Sequence, residues 1–458
     1  MSDEGLQQAR DKMAEAGVDP AAIEVFAHYY RLVESGESGM VPESTIEPLD
    51  MDALADVAVP ADVAADAIRK TVVIKLNGGL GTSMGMERAK SLLEVRDGLT
   101  FVDVIARQVL ALRKQYDATL PLLFMDSFRT SQDTLDALAA YDDLAVDGLP
   151  LDFLQNKEPK LRADDLTPVT WEQDPSLEWC PPGHGDLYPA LRGTGLLDRL
   201  IEAGYTQVFV SNSDNLGAVP DAHVAGWFAQ SGAPIAIEAV RRTPSDRKGG
   251  HFAIRRSDGR IVLRETAQTL EEDKEALADL SRHKFCSTNN LWFDLVAMRD
   301  QLDRTNGVLG LSMIKNLKTV DPADSASPKV VQIESAMGAA IEVFDGAQTI
   351  EVTRRRFVPV KTTNDLLVLR SDCYSLGEGY VLEPVADRIP FVDLDPSHYK
   401  LVGDFDARFP DGVPSLAEAS SLVVNGDWTF GPGVRVVGEG VVGDQGTPGR
   451  IESGATLG

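Results

Sequence analysis

The chain is poor in cysteine, in basic residues and in aromatics, and it contains no long apolar run. Only three cysteines, Cys180, Cys286 and Cys373, occur in 458 residues, widely spaced and without a CxxC pair. That set excludes a disulfide-built scaffold and a cysteine-rich zinc module, and fits a reducing compartment. Lysine and arginine number 44 against 71 aspartates and glutamates, a formal charge of −27. A surface this acidic repels nucleic-acid phosphates and anionic lipid, so neither nucleic acid nor a membrane is an expected partner. No stretch is apolar for long enough to span a bilayer, and the polar start of the chain lacks the apolar core of a signal peptide, so the expected location is the cytoplasm. The remainder is ordinary for a globular protein, 43% hydrophobic and 25% charged, and the length suits two or three domains. A phosphorylated substrate would require some of the few basic residues to be gathered at one site.

The first sixty residues read as helical. Asp19-Pro20 is a helix start, with Asp as N-cap and Pro at the first turn, and Ile23, Phe26, Ala27 and Tyr30 follow at helical spacing. From Arg69 the pattern becomes α/β. TVVIKL (71–76), LPLLFM (120–125), TQVFVS (206–211) and PIAIEAV (234–240) read as buried strands, with helical periodicity over 101–114 and 133–141. Such alternation predicts a mostly parallel sheet covered on both faces, with ligands beyond the carboxyl ends of its strands. LEEDKEALADL (270–280) reads as an acidic amphipathic helix with a solvated face. From Ser421, short valine-rich pieces alternate with glycine turns, which fits either coils of a β-helix or a glycine-rich meander.

Four motifs carry chemistry. The first strand runs into Asn77-Gly78-Gly79-Leu80-Gly81-Thr82-Ser83-Met84-Gly85, and Lys90 follows. Four glycines in eight residues let backbone N–H groups approach a phosphate chain or a base. A Walker A loop fails because Ala89 stands where glycine must precede Lys-Ser, and a dinucleotide fingerprint fails because Met84 stands where its last glycine must be. A strand, a glycine loop and a later lysine suit a nucleotidyltransferase, with Lys90 reaching the α-phosphate of a nucleoside triphosphate. In Ser211-Asn212-Ser213-Asp214-Asn215, the aspartate past a strand end suits Mg²⁺, or equally an Asx-turn. The rigid loop Cys180-Pro181-Pro182-Gly183-His184-Gly185-Asp186 presents one imidazole, without the second ligand pair that zinc requires. Lys361, in Val358-Pro359-Val360-Lys361-Thr362-Thr363, could bind a phosphate, or be an ordinary surface lysine.

With these blocks in this order, together with TNNLW (288–292) and SAMGAA (335–340), the chain resembles the eukaryotic-type UTP–glucose-1-phosphate uridylyltransferase (UDP-glucose pyrophosphorylase) family from about residue 70 to 375. The resemblance implies an α/β fold, a nucleotidyltransferase (GT-A/Rossmann-like) mixed sheet flanked by helices. It places an N-terminal helical segment at 1–65, the catalytic domain at 66–385 and a C-terminal β-helix at 386–458. It implies UTP and glucose 1-phosphate as substrates, UDP-glucose and pyrophosphate as products, and Mg²⁺ as cofactor. Leu76, Asn77, Gly78 and Gly79 would line the uridine site, Gln155 would bond uracil with Gly183 beneath it, and His184 would meet the sugar phosphate. Asn212 would bind substrate and Asp214 would hold Mg²⁺. Gly250, Glu265 and Asn289 would contact glucose, and Lys361 its phosphate. Lys90, Arg88 and Lys361 form the catalytic set, and Lys90, His184, Lys361 and Mg²⁺ are the cations expected to converge on the phosphates. A β-helix tail offers a surface for a homo-oligomer or a cap on a monomer. There are two departures. Ala89 replaces the family's usual proline and is expected to loosen the loop before Lys90. Ser287 replaces an asparagine, leaving sugar preference less determined than uridine preference.

Overall fold

The computed structural model describes residues 3–37, 39–247, 249–322, 324–386 and 388–458. The strands that position the site are Ile46–Pro48 (β1), Thr71–Leu76 (β2), Leu122–Asp126 (β3), Asp152–Leu154 (β4), Gln207–Asn212 (β5), Ile235–Arg241 (β6), His251–Arg255 (β7), Ile261–Arg264 (β8), Phe285–Asp294 (β9) and Gln348–Glu351 (β10). Seven of them form the central sheet in the order β10-β6-β9-β5-β2-β3-β4. The sheet is mixed. β2 pairs in parallel with β3 and β5, whereas β9 runs antiparallel to both β5 and β6.

Successive side chains of these strands enter opposite cores. Val73, Phe124, Phe209 and Trp292 face one core, whereas Val72, Ile74, Leu123, Val208 and Phe293 face the other. Both faces are buried, and for this reason TVVIKL lacks polar–apolar alternation; its one charged residue, Lys75, is itself buried and donates to Ser211 Oγ at 2.8 Å and to the Ala218 carbonyl at 2.7 Å. The N-terminal helices Asp3–Glu15 and Pro20–Glu34 cover the second face through Leu6, Phe26 and Tyr30. Asp19 caps the latter helix, its carboxylate accepting the Ala21 N–H at 2.8 Å. The helix Phe101–Tyr116 covers the first face, where C-terminal residues such as Phe405, Leu422 and Phe430 join the same core.

The C-terminal strands pair only in parallel among the described residues. Phe391–Leu394, Ser415–Val424, Arg435–Val442 and Thr456–Leu457 form one sheet, and Trp428–Phe430 and Gly449–Ile451 a second. Val424 lies beside Val442, and Trp428 beside Gly449.

Two expectations are corrected. The first sixty residues are not helical throughout: beyond Glu34 the described ones form loops, short 3-10 turns and β1, which completes a sheet with β7 and β8. The 270–280 segment is not one amphipathic helix: a single 3-10 turn, Glu271–Asp273, leads into the short helix Lys274–Ala278. Its Asp273 is turned inward, accepting the Glu43 N–H at 2.7 Å and pairing with the buried Arg264 at 2.9 Å. Glu271, Glu272, Lys274 and Glu275 keep a solvated face, and Asp273 alone turns inward to its two partners.

Candidate active site

The site forms where β2, β3, β4 and β5 release the chain at their carboxyl ends. Leu76 and Asn212 are neighbours across the β2–β5 pairing, so the glycine loop and the Asp214 loop leave the sheet side by side. The Asn77 side chain is buried and fully used: Nδ2 donates to Asp126 Oδ1 and to Thr134 Oγ1, both at 2.8 Å, and Oδ1 accepts from Ser213 Oγ at 2.9 Å. Asn77 therefore fixes the loop; its N–H is taken too, by the Met125 carbonyl at 2.8 Å, which leaves its carbonyl for a ligand.

Gly78 lies against Gln155. A Cβ at this position would stand 2.5 Å from Gln155 Nε2, so glycine is required for the close approach. Gly79 is exposed, with open space where a Cβ would be. Gln155 is held from behind, its N–H donating to the Asp126 carbonyl at 2.8 Å. Gly78→Ala should push the flexible Gln155 side chain aside at little cost to folding. We expect the KM for the nucleotide to rise about tenfold, the loss of one hydrogen bond, with Tm nearly unchanged. Steady-state kinetics and a thermal melt check this; an unchanged KM would remove Gln155 from base recognition.

Beneath this loop Asp126 is buried. Oδ1 accepts from Asn77, Thr130 and Thr134, while Oδ2 has no partner among the described residues. Burial pushes its carboxyl up to about 7. A carboxyl raised in the folded state binds its proton there while the unfolded chain has lost it, so stability falls as pH rises from about 4 through about 7. The loss is on the order of 4 kcal/mol at most. Asp126→Asn should abolish this part of the pH dependence, read as a smaller stability difference between pH 5 and pH 8 in urea unfolding.

The proline–glycine loop sits on the segment 335–337. Gly183 has φ +80°, and a Cβ on it would lie 2.5 Å from the Ser335 carbonyl oxygen. The need for glycine there thus comes from Ser335. Asp186 ties this loop to Gln155's neighbour, accepting from Asn156 Nδ2 at 2.9 Å and Asn156 N at 2.5 Å. His184 Nδ1 accepts the Met337 N–H at 2.9 Å, which leaves the proton on Nε2. Burial pushes its imidazole down to about 4. His184 is therefore a neutral donor at pH 7 and not one of the expected cations.

Lys90 and the metal-ligand candidate Asp214 meet directly. Lys90 Nζ lies 2.7 Å from Asp214 Oδ2 and also donates to the Val360 carbonyl. The other oxygen, Asp214 Oδ1, is buried without a hydrogen-bond partner among the described residues. Val360 N–H in turn donates to the Asp214 carbonyl at 3.1 Å, so Lys361, the next residue, is carried to the same place. The Lys361 ammonium makes no ion pair among the described residues; its backbone N–H is held by Asp365 at 2.8 Å. Arg88 stands apart. Its side chain is 70% exposed and faces Asp133 at 3.8 Å, outside the Lys90–Asp214 contact. Ala89 corrects an expectation: its N–H donates to Asp133 Oδ2 at 3.0 Å, a bond proline cannot make. The departure anchors the loop by a hydrogen bond and does not loosen it.

On the far side of Asp214, Asn289 occupies the left-handed region, φ +60°, at a bulge in β9. Its Nδ2 donates to Asn212 Oδ1 at 3.0 Å, and its N–H donates to Ser287 Oγ at 3.0 Å. Ser287 thus supports the bulge. Gly250 and Glu265 face each other across the open end of the β7–β8 hairpin: a Cβ on Gly250 would meet Glu265 Oε2 at 2.7 Å.

The sequence reading missed the brace behind these loops. Glu238 in β6 is fully buried and accepts from Arg356 Nη2 at 2.6 Å and Nε at 2.7 Å, from Trp292 Nε1 at 3.0 Å and from Asn290 Nδ2 at 3.0 Å. Asn215 donates to the Arg356 carbonyl at 3.2 Å and accepts the Val358 N–H at 2.8 Å. The loops bearing Asp214 and Lys361 are therefore locked together. The available signal was a carboxylate in the middle of the apolar run PIAIEAV.

A glycine loop after a sheet strand, a lysine on an aspartate of the adjacent loop and a second lysine next in sequence to Val360, which touches both, form the arrangement expected of a nucleotidyltransferase. The comparisons specify it further. Residues 23–436 match the family model described as UTP--glucose-1-phosphate uridylyltransferase, and the chain belongs to that family. It is similar to the UTP--glucose-1-phosphate uridylyltransferase of Hordeum vulgare, 37% identical over 99% of this chain and 95% of the relative, and to that of Saccharomyces cerevisiae, 39% identical over 82% and 74%. Its structure resembles the UDP-glucose pyrophosphorylase of Leishmania major in complex with UDP-glucose, with 42% identity, TM-score 0.92 and coverage of 99% and 98%. The Trypanosoma brucei UDP-glucose phosphorylase is similar at 40% identity, TM-score 0.92 and the same coverage.

Proposed function

We propose that the chain transfers a uridylyl group from UTP to glucose 1-phosphate, releasing pyrophosphate and UDP-glucose. The observation that carries this is the meeting of Lys90, Asp214 and Val360-Lys361 at one point, although 124 residues separate Lys90 from Asp214 and 270 separate it from Val360. The nucleophile, a phosphate oxygen of the sugar phosphate, is already anionic at neutral pH. No covalent intermediate is needed, and the work left to the protein is to hold two anions in line. Gly78 and Gln155 support a pyrimidine edge, where a purine would clash. Lys90 can leave Asp214 for the α-phosphate as charge redistributes there. His184, neutral, can donate from Nε2, and the unpaired Lys361 ammonium suits the sugar phosphate.

Mg²⁺ fits the site: Asp214 Oδ1 is a buried carboxylate oxygen without a hydrogen-bond partner among the described residues, beside a loop expected to hold phosphates. When bound there, the ion would draw charge from the phosphate oxygens. In this reading residues 1–65 form an N-terminal segment that is helical to Glu34 and then adds β1 to the β7–β8 hairpin, 66–385 the catalytic domain and 386–458 a C-terminal domain whose parallel coils are a β-helix. Cytoplasmic placement is supported by three buried, free cysteines, and no described helix is long and apolar enough to cross a membrane.

The test is pyrophosphate release with UTP and a panel of sugar 1-phosphates, with Mg²⁺ present or chelated. Release is expected with UTP and glucose 1-phosphate, and to stop on chelation or when ATP replaces UTP. Equal use of ATP and UTP would refute the uridine assignment.

A further inference from the structure

The hairpin bearing Gly250 and Glu265 is held from below by a group the reaction itself does not use. His251 pairs with Arg264 in the β7–β8 register, so Gly250 and Glu265 are the next residues outward on the two strands. Arg264 is fully buried, its guanidinium divided between Glu43 at 2.6 Å and Asp273 at 2.9 Å. Glu43 belongs to the N-terminal segment and lies just before β1, which pairs with β7. The same carboxylate accepts from Arg282 Nε at 2.7 Å and from His283 Nε2 at 3.0 Å. His283 stacks on His251, with ring centroids 3.7 Å apart and planes 17° from parallel. One carboxylate thus supports both strand ends, through Arg264 the Glu265 side and through His283 and His251 the Gly250 side.

Glu43, His251 and His283 have the residue types of a metal site, but their geometry argues against one. The two stacked rings carry their lone pairs in nearly parallel planes, so the pairs run side by side and do not converge on an ion. Glu43 is already neutralised by two guanidinium groups. Burial pushes both imidazoles down, His251 to about 3, so at pH 7 both are neutral and pack as rings.

We infer that Glu43, reaching from the N-terminal segment, is a positioning residue for the sugar subsite: with Asp273 it fixes Arg264 and the His283–His251 stack, and so sets the gap between Gly250 and Glu265. The inference rests on the reading of Gly250 and Glu265 as sugar contacts. Glu43 makes no hydrogen bond or ion pair with Lys90, Asp214 or Gln155 among the described residues, so its effect should be confined to the sugar.

The test is steady-state kinetics of Glu43→Gln, which keeps the side-chain volume, and of Asp273→Asn, which removes the charge of the other partner of Arg264. Glu265→Gln is measured in parallel. Both positioning variants should raise the KM for glucose 1-phosphate on the order of tenfold, leave the KM for UTP and kcat near wild type, and narrow the preference for glucose 1-phosphate over galactose 1-phosphate. If one variant does not fold, the other decides. An unchanged KM for glucose 1-phosphate, or an equal rise in both KM values, would overturn the inference. Glu265→Gln separates the two levels. If it raises the KM for the sugar while the positioning variants do not, only the positioning role falls. If it also leaves that KM unchanged, the sugar reading falls, and the inference with it.

Discussion

Lys90→Ala is expected to lower kcat by about 10²–10³ while changing the KM of either substrate little. Among the described residues Lys90 is the one ammonium in contact with Asp214, and it is pinned at the same time to the Val360 carbonyl. A charge placed in advance where negative charge redistributes contributes in the transition state more than in the bound ground state. Its removal should therefore appear in turnover and not in binding. The fold should tolerate the change, because Asp214 keeps 21% of its side chain exposed and can recover water. Lys90→Arg should rescue only in part, since a planar guanidinium cannot take both the Asp214 and Val360 contacts from the same stem. Pre-steady-state turnover decides the matter: a variant with wild-type turnover would take Lys90 out of the chemistry.

Asp214→Asn is the second large effect. The amide keeps the size of the side chain and can still accept a hydrogen bond from Lys90, but the negative charge is lost at Oδ1, the buried oxygen left without a partner. A metal acting on phosphoryl oxygens supplies several kcal/mol, and each 1.36 kcal/mol is about tenfold in rate. Turnover should fall by about 10³, and half-saturation should move to much higher Mg²⁺. Wild-type turnover with an unmoved Mg²⁺ titration would place the metal elsewhere.

Much of this site was legible in the sequence because each motif is local. TVVIKL matches its strand limits, since burial on both faces leaves a β-branched, mostly apolar run that even the buried Lys75 does not end. The glycine loop and Asp214 follow strand ends, where the topology exposes them. β9 was not recognised as a strand: its polar centre STNN bulges around Asn289, and the periodicity is lost where the backbone turns left-handed. The 270–280 segment misled because a run of acidic residues reads as one solvated helix until the buried Arg264 is placed opposite Asp273. The charge of His184 was misjudged because only the fold buries it. The Glu238–Arg356 brace joins residues 118 apart, and no local pattern announces such a pairing.

The central claim is that the loop after β2 holds a uridine triphosphate with its α-phosphate at Lys90. A crystal structure of the protein with UTP tests it most directly. The account predicts uracil between Gly78 and Gln155 and the α-phosphate within hydrogen-bond reach of the Lys90 ammonium. Nucleotide bound away from this loop, or base and phosphates reversed along it, would contradict the account.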